Sequence, residues 1–351
     1  MDNIKKLQTV IIIGAGWYGC HIAMILKNKY NIILIEKESD IFNNSSFFNQ
    51  NRLHSGFHYC RDYNTRQLCK NNYIRFTEQY GNMIDNINKN YYLISNNSII
   101  DYNTYIHIYK YENFKFNTIP NKLFKNIYMN IIVVDEQVIN SDNVYSYFKE
   151  NLADIKIILN TKFINYIKKN NITVICEHDN TIINYECDIL LDCTYNQAEL
   201  SKKNYIYELT LSLLFKKIHN INFDAVTIMD GDFMSLYPRD IKNNLFTLTD
   251  VKLTPIVKSH KYSDIENANI SKEEINNIKD KMIERFSYYY PDFIENFSYD
   301  GYFISKKTKY ISSTDSRDII IDEIEDNVIS VNCGKIYGIF YFEDYIKKKY
   351  L

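Results

Sequence analysis

The chain has 351 residues, with 41 Lys and Arg set against 43 Asp and Glu for a formal net charge of −2. That balance excludes the basic footprint of a nucleic-acid binder, and no apolar run reaches the ~20 residues a membrane helix needs. The seven cysteines form no CxxC pair and no ligand spacing, so neither a disulfide framework nor a metal site is expected. An odd cysteine count with no apolar leader leads to an expectation of reduced thiols and a cytoplasmic location.

In chain order, the first element is the apolar run Val10 to Ile13, read as a buried parallel strand. Next comes Gly14-Ala15-Gly16-Trp17-Tyr18-Gly19, which holds three of only nine glycines in the chain. Ile22, Ile25 and Leu26 mark the apolar face of a helix, and Ile32 to Ile35 a second strand that ends at Glu36. This is a GxGxxG fingerprint in its strand–turn–helix–strand–acid setting. Gly14 permits the sharp turn, Gly16 lets the backbone approach a pyrophosphate, and Gly19 lets the helix pack on the sheet. The N–H groups of Trp17, Tyr18 and Gly19 open the helix toward an anion. Glu36, with Lys37 beside it, stands where a carboxylate accepts the hydroxyls of an adenosine ribose.

A polar and aromatic loop follows over residues 40–63, then a helix over 65–80. Residues 91–94 and 99–102 look like short strands, the stretch to 125 has mixed strand character, and 131–136 is another strand. A helix over 141–151 starts at a cap supplied by Ser141 or Asp142. Strands are expected at 155–159, 163–168, 172–177 and 187–194, then at 207–215 and 225–229. A helix over 272–289, a strand over 328–331 and a helix over 338–348 complete the chain. The pattern predicts an α/β protein: a Rossmann-type dinucleotide domain (1–85, 126–200 and 310–351) and a substrate domain on a mixed, largely antiparallel sheet (86–125 and 201–309).

The loop after the acid carries the more specific signal. Ser45-Ser46-Phe47-Phe48-Asn49-Gln50-Asn51-Arg52-Leu53 runs into His54-Ser55-Gly56-Phe57-His58-Tyr59. Together with the fingerprint, this resembles FAD-dependent oxidoreductases of the D-amino-acid oxidase (DAO) superfamily, in which such a loop leads to His-x-Gly-x-x-Tyr beside the flavin. The late segment Asp315-Ser316-Arg317-Asp318, a strand, and Cys333-Gly334-Lys335-Ile336-Tyr337-Gly338 is similar to the family's C-terminal element. Asp188 to Thr194 is similar to its strand returning to the adenine side, although Tyr195-Asn196 stand where a glycine is usual. Related proteins are found beside surface-polysaccharide genes, which suggests sugar chemistry.

The resemblance implies FAD, a small-molecule substrate, and oxygen or another electron acceptor. Ser45 and Ser46 would serve the pyrophosphate; Asn49, Gln50 and the neighbouring Asn51, Arg52 and Leu53 would serve the ribitol or ring edge. His54, Ser55 and Gly56 would lie at the flavin, Thr194 at the adenosine side, and Gly334, Lys335 and Ile336 at the pyrimidine end. Covalent attachment through Cys333 is not expected. His54 and His58 are the acid/base candidates, because histidine titrates near physiological pH. Arg239 and Arg317 are the candidate anchors for an anionic substrate. The expected activity is oxidation of a C–N or C–O bond of a small polar, amino-acid- or sugar-derived substrate by hydride transfer to flavin N5. The alternatives are a flavin-dependent sugar-nucleotide mutase, a non-catalytic dinucleotide-binding protein and a plain NAD-dependent dehydrogenase. No second glycine-rich unit follows, so a nicotinamide-reduced enzyme of the two-dinucleotide type is not expected.

Overall fold

The structure, a computed structural model, describes residues 7–311 and 318–351. Its first sheet has the strand order Ile320–Glu325, Val328–Asn332, Ile189–Asp192, Thr9–Ile13, Asn31–Ile35, Lys156–Ile158. All neighbours are parallel except the Ile320–Glu325 edge strand, which pairs antiparallel with Val328–Asn332. Val10, Ile11 and Ile12 are wholly buried because the sheet is covered on both faces. On one face lie the helices Trp17–Leu26, Tyr63–Tyr80, Ser141–Asn151 and Gly338–Tyr350. On the other, Ile11, Ile13 and Leu190 meet Ile172, Val174 and Cys176 of an antiparallel three-stranded meander (Thr161–Lys168, Ile172–His178, Thr181–Cys187).

The second sheet has nine strands and is mostly antiparallel. Its long strand Tyr205–Lys217 pairs with Pro255–Ser259, Leu245–Asp250 and Phe297–Tyr310. Beyond Leu245–Asp250 come Met234–Asp240, Ala225–Met229, Asn90–Ile94, Asn130–Val134 and Phe116–Pro120. Helix Lys272–Ser287 closes one face with Ile275, Met282 and Phe286, and opens with a reciprocal Ser271–Glu274 capping box. A small sheet of Arg52–Leu53, Gln137–Ile139 and Ile84–Asp85 lies where the chain passes between the two large ones.

Three local expectations are corrected. Residues 102–111 are helical, capped by Asp101 accepting from the Thr104 N–H, although their Tyr and Ile content reads as strand. The helix Ser141–Asn151 is capped by Asn140, whose side-chain Oδ1 accepts from the Asp142 and Asn143 N–H groups, and not by Ser141 or Asp142. Strand Asn130–Val134, which the sequence groups with the dinucleotide half, pairs with Asn90–Ile94 and Phe116–Pro120 in the second sheet. His21 is wholly buried between Tyr80 and Glu343. No helix among the described residues is long and apolar enough to cross a membrane.

Candidate functional site

A cleft of about 750 Å³, open mouth included, lies over the C-terminal ends of the parallel strands. Gly14, Gly16, Glu36, Lys37, Ser45, Ser46, Thr194 and Tyr195 are among its lining. Ligands bind at this end of an open parallel sheet because the helix N-termini and the crossover loops meet there.

The glycines are needed for different reasons. Gly14 has φ +94° and would press a Cβ onto the Cys193 carbonyl oxygen at 2.7 Å. A Cβ on Gly19 would lie 1.9 Å from the Gly14 carbonyl oxygen, so the tight packing of helix on strand demands glycine. On Gly16 it would meet only the Ser46 hydroxyl, at 2.5 Å. That hydroxyl accepts the Trp17 N–H at 3.1 Å and thus sits on the helix N-terminus, where an anion is attracted.

Glu36 Oε2 accepts the Ala15 N–H at 2.6 Å and Oε1 the Glu38 N–H at 3.0 Å. Burial pushes its carboxyl up from the usual range, and these two N–H donors pull against that shift. Lys37 Nζ donates to Gln197 Oε1 at 2.9 Å and to the Tyr262 hydroxyl at 2.7 Å, tying the second sheet's helix Tyr262–Glu266 to the cleft. The Ser45 hydroxyl donates to the Lys306 carbonyl, and the Asn49 amide to the Ser45 and Ser46 carbonyls. Thr194 donates through both N–H and hydroxyl to the buried Asp192. Tyr195 and Asn196 adopt φ of +63° and +56°, the conformation for which glycine is favoured. Asn196 holds it by donating to the Tyr207 hydroxyl at 2.9 Å, so the departure from the family's glycine leaves the turn intact.

Some side chains stand elsewhere than expected. The Trp17 ring packs among Phe42, Phe76, Tyr80 and Phe148, so only its N–H faces the cleft. Leu53 is wholly buried in that core. Arg239 donates to the Phe47 and Asn49 carbonyls at 3.0 and 2.8 Å, between the rings of Phe47 and Phe303, and burial pulls it down to about 10. It braces the Ser/Asn loop. Asn51 takes φ +52° and donates to the Ser141 hydroxyl. Arg317, Asp315 and Ser316 lie outside the described residues.

The His54–Tyr59 segment is fixed through its backbone. The Tyr337 hydroxyl donates to the His54 carbonyl at 2.8 Å. Tyr105 and Tyr109 donate to the Phe57 carbonyl at 2.6 and 2.9 Å. Glu136 Oε1 accepts the Ser55, Gly56 and Phe57 N–H groups at 2.7, 3.2 and 3.3 Å. Gly56 is required by its φ of +123° and by the Arg66 carbonyl, 3.0 Å from where a Cβ would stand. Sequence reasoning does not single out Glu136, Tyr105 or Tyr109; for the two tyrosines their four-residue spacing is the available signal.

The side chains this loop presents are His54, His58 and Tyr59. His58 stacks on Phe233, with centroids 4.6 Å apart. His54 Nδ1 is buried without a hydrogen-bond partner, a polar atom suited to an incoming ligand. Burial, with the positive charge of Lys335 next, holds His54 well below the ordinary histidine range. That environment favours its neutral form. Lys335 Nζ lies 4.4 Å from the Tyr59 ring centroid, and burial, with Arg52 second, brings it down to about 7. Next to it, Gly334 faces the cleft-lining Tyr195, whose hydroxyl is 3.3 Å from a Gly334 Cβ, while Ile336 packs on the core. Burial raises the Cys333 thiol and so disfavours its thiolate. Arg52 reaches into the second sheet, donating to the hydroxyls of Tyr92 (3.0 Å), Thr227 (2.7 Å) and Ser235, with its guanidinium over the Tyr237 ring. Among the described residues no three His, Cys, Asp or Glu side chains gather as for a metal.

Residues 9–91 match the DAO family, described as FAD dependent oxidoreductase. The chain is 30% identical over 351 residues to a Fusarium mangiferae protein named FAD-dependent monooxygenase FPY4, covering 98% of this chain and 92% of that one. Its fold is similar to glycine oxidase from Geobacillus kaustophilus, with TM-score 0.70 and 9% identity over 95% of this chain and 91% of the other. It is likewise similar to L-alpha-glycerophosphate oxidase from Mycoplasma pneumoniae, solved with FAD bound, with TM-score 0.71 and 13% identity over 96% and 93%. The cleft, the glycine turn and the buried acid fit the FAD named for the family, for the Fusarium relative and for the Mycoplasma structure.

Proposed function

This chain belongs to the DAO family of FAD-dependent oxidoreductases, and from that premise we propose that it oxidises a C–N or C–O bond of a small polar substrate. FAD, when bound, supplies the hydride acceptor. The observation that carries the reading is the continuity from the cleft to the His54–Tyr59 loop. Tyr195 lines the cleft and faces Gly334, and the next residue, Lys335, lies over Tyr59 beside His54.

The roles follow from charge and burial. Lys335, a buried amine brought down to about 7, takes the proton released from the substrate heteroatom. Neutral His54 offers Nδ1 as a hydrogen-bonding atom. Glu36 holds the ribose, the Gly14–Gly19 turn and Ser46 the pyrophosphate, and Lys37 the adenosine end. Arg317 remains the candidate anchor for an anionic substrate group, while Arg239 is assigned to bracing the loop. The structural relatives act, by their names, on an amine and on an alcohol, which is why both bond types are kept and sugar-derived substrates stay in view.

The test is anaerobic mixing of the FAD-loaded protein with amino acids, amines, α-hydroxy acids and polyols, while following the visible flavin band. Bleaching by one class supports the proposal and names the class. The name of the full-length relative favours a second reading, oxygen insertion. Absence of bleaching by every class, with bleaching by dithionite, sinks the first reading and leaves that one.

A further inference from the structure

We propose that Glu136 is a positioning residue for the redox reaction: its carboxylate holds the His54–Tyr59 loop in place and sets how readily the bound cofactor is reduced. The inference rests on the FAD-dependent oxidoreductase reading and adds to it a residue that touches neither the cleft nor the candidate acid/base groups.

Glu136 is wholly buried, between strands Asn130–Val134 and Gln137–Ile139. One oxygen accepts three successive N–H groups, those of Ser55, Gly56 and Phe57. The other accepts the Tyr92 hydroxyl at 2.6 Å. Burial raises the Glu136 carboxyl, and Arg52, the Tyr92 hydroxyl and the loop N–H groups pull against that shift; converging N–H groups of this kind form a concavity that an ionised carboxylate fills.

A loop needing only structural support could be satisfied by a neutral carbonyl. Burying a full negative charge is far costlier and persists where positive charge repays it. Here Arg52 donates to the same Tyr92 hydroxyl that bonds Glu136, so the polar path runs Arg52–Tyr92–Glu136–loop backbone. It joins the hydroxyl-lined face of the second sheet, through Thr227 and Ser235, to the segment that carries His54, His58 and Tyr59. Glu136 is therefore a buried anion paired through Tyr92 with Arg52, and a cofactor that gains negative charge on reduction would feel its removal.

The test uses the FAD-loaded full chain and its Glu136→Gln and Glu136→Asp variants. The readouts are flavin content, melting temperature and the midpoint potential of bound FAD in a dye-equilibrated reductive titration. Glutamine keeps a loop acceptor but removes the charge. We expect its reduction equilibrium to shift about tenfold toward reduced flavin, about 30 mV for a two-electron couple, and aspartate to keep the wild-type potential. A Gln variant at the wild-type potential overturns the proposal. Should the Gln variant fail to load FAD, an Asp variant that loads and keeps the wild-type potential supports it, and one shifted in potential or also unable to load overturns it. A wild-type chain that takes up no FAD would fail the cofactor reading instead.

Discussion

The Tyr18 hydroxyl donates to the Lys335 carbonyl at 2.7 Å, across 317 positions of sequence. Gly338 is held to glycine by the same tyrosine, since a Cβ there would stand 2.0 Å from the Tyr18 hydroxyl. The two glycine turns of the chain are thereby fastened directly to each other. The backbone of Lys335 is fixed from the dinucleotide turn, while its side chain extends toward Tyr59.

That placement makes Lys335 testable by pH. With the first substrate that bleaches the flavin, the rate of FAD reduction should rise with pH through about 7 and then level, as the amine loses its proton and becomes a base. Lys335→Met should slow reduction by roughly 10²–10⁴-fold and abolish that inflection. An inflection still at about 7 in the variant would remove Lys335 from the role.

The glycines of the first turn should separate by what they touch. Gly16→Ala meets only a serine hydroxyl that can rotate, so the chain should fold and melt near wild type yet fail to retain FAD. Gly19→Ala meets the Gly14 backbone carbonyl and should lose soluble folded protein altogether. Circular dichroism with the FAD-to-protein absorbance ratio checks both. A Gly16→Ala holoprotein would refute the close-approach reading.

Glu36→Ala removes an acceptor of charge-assisted hydrogen bonds, each worth about 1.5–3 kcal/mol. The expected result is a 10- to 150-fold rise in the FAD dissociation constant, read by quenching of flavin fluorescence. Unchanged affinity would count against Glu36 as the ribose ligand.

Glu343 predicts an acid limit on stability. Buried, it accepts from neutral His21 Nε2–H at 3.1 Å and from Arg75 and Lys347 at 2.9 and 2.5 Å, and lies at about 2. Burial holds His21 below its ordinary value, so its Nδ1 accepts the Tyr80 hydroxyl. Because the folded carboxyl is depressed, its stabilisation is complete above the unfolded value near ~4.3 and is lost as pH falls toward 2. The amount is about 3 kcal/mol. Urea melts of Glu343→Gln should show lower stability at pH 7 and a flatter profile between about pH 5 and 2. A variant as acid-sensitive as wild type would show that other carboxylates set the limit.

What the sequence determined by itself is local. The strand–turn–helix–strand–acid unit is legible because each residue's part is settled within a few positions: glycine dihedrals, the helix period, and an acid at the strand's end. The Ser/Asn loop and the Cys333–Gly338 turn were legible in the same way, as short patterns. The tertiary structure decided everything that depends on who meets whom. Residues 102–111 carry strand-like side chains but form a helix that sets Tyr105 and Tyr109 on the Phe57 carbonyl. Arg52 and Arg239 look alike in sequence, yet one enters the hydroxyl-lined sheet and the other braces a loop. Glu136 reads as the polar end of a strand, and only the fold brings residues 79 to 81 positions away onto its carboxylate. His54 keeps its type but is pushed below its ordinary value, because burial, then Lys335, His58 and Arg52, disfavour its charged form. Periodicity and turn chemistry are short-range and survive in sequence. Desolvation and charge pairing are set by neighbours distant in the chain, and those the fold alone supplies.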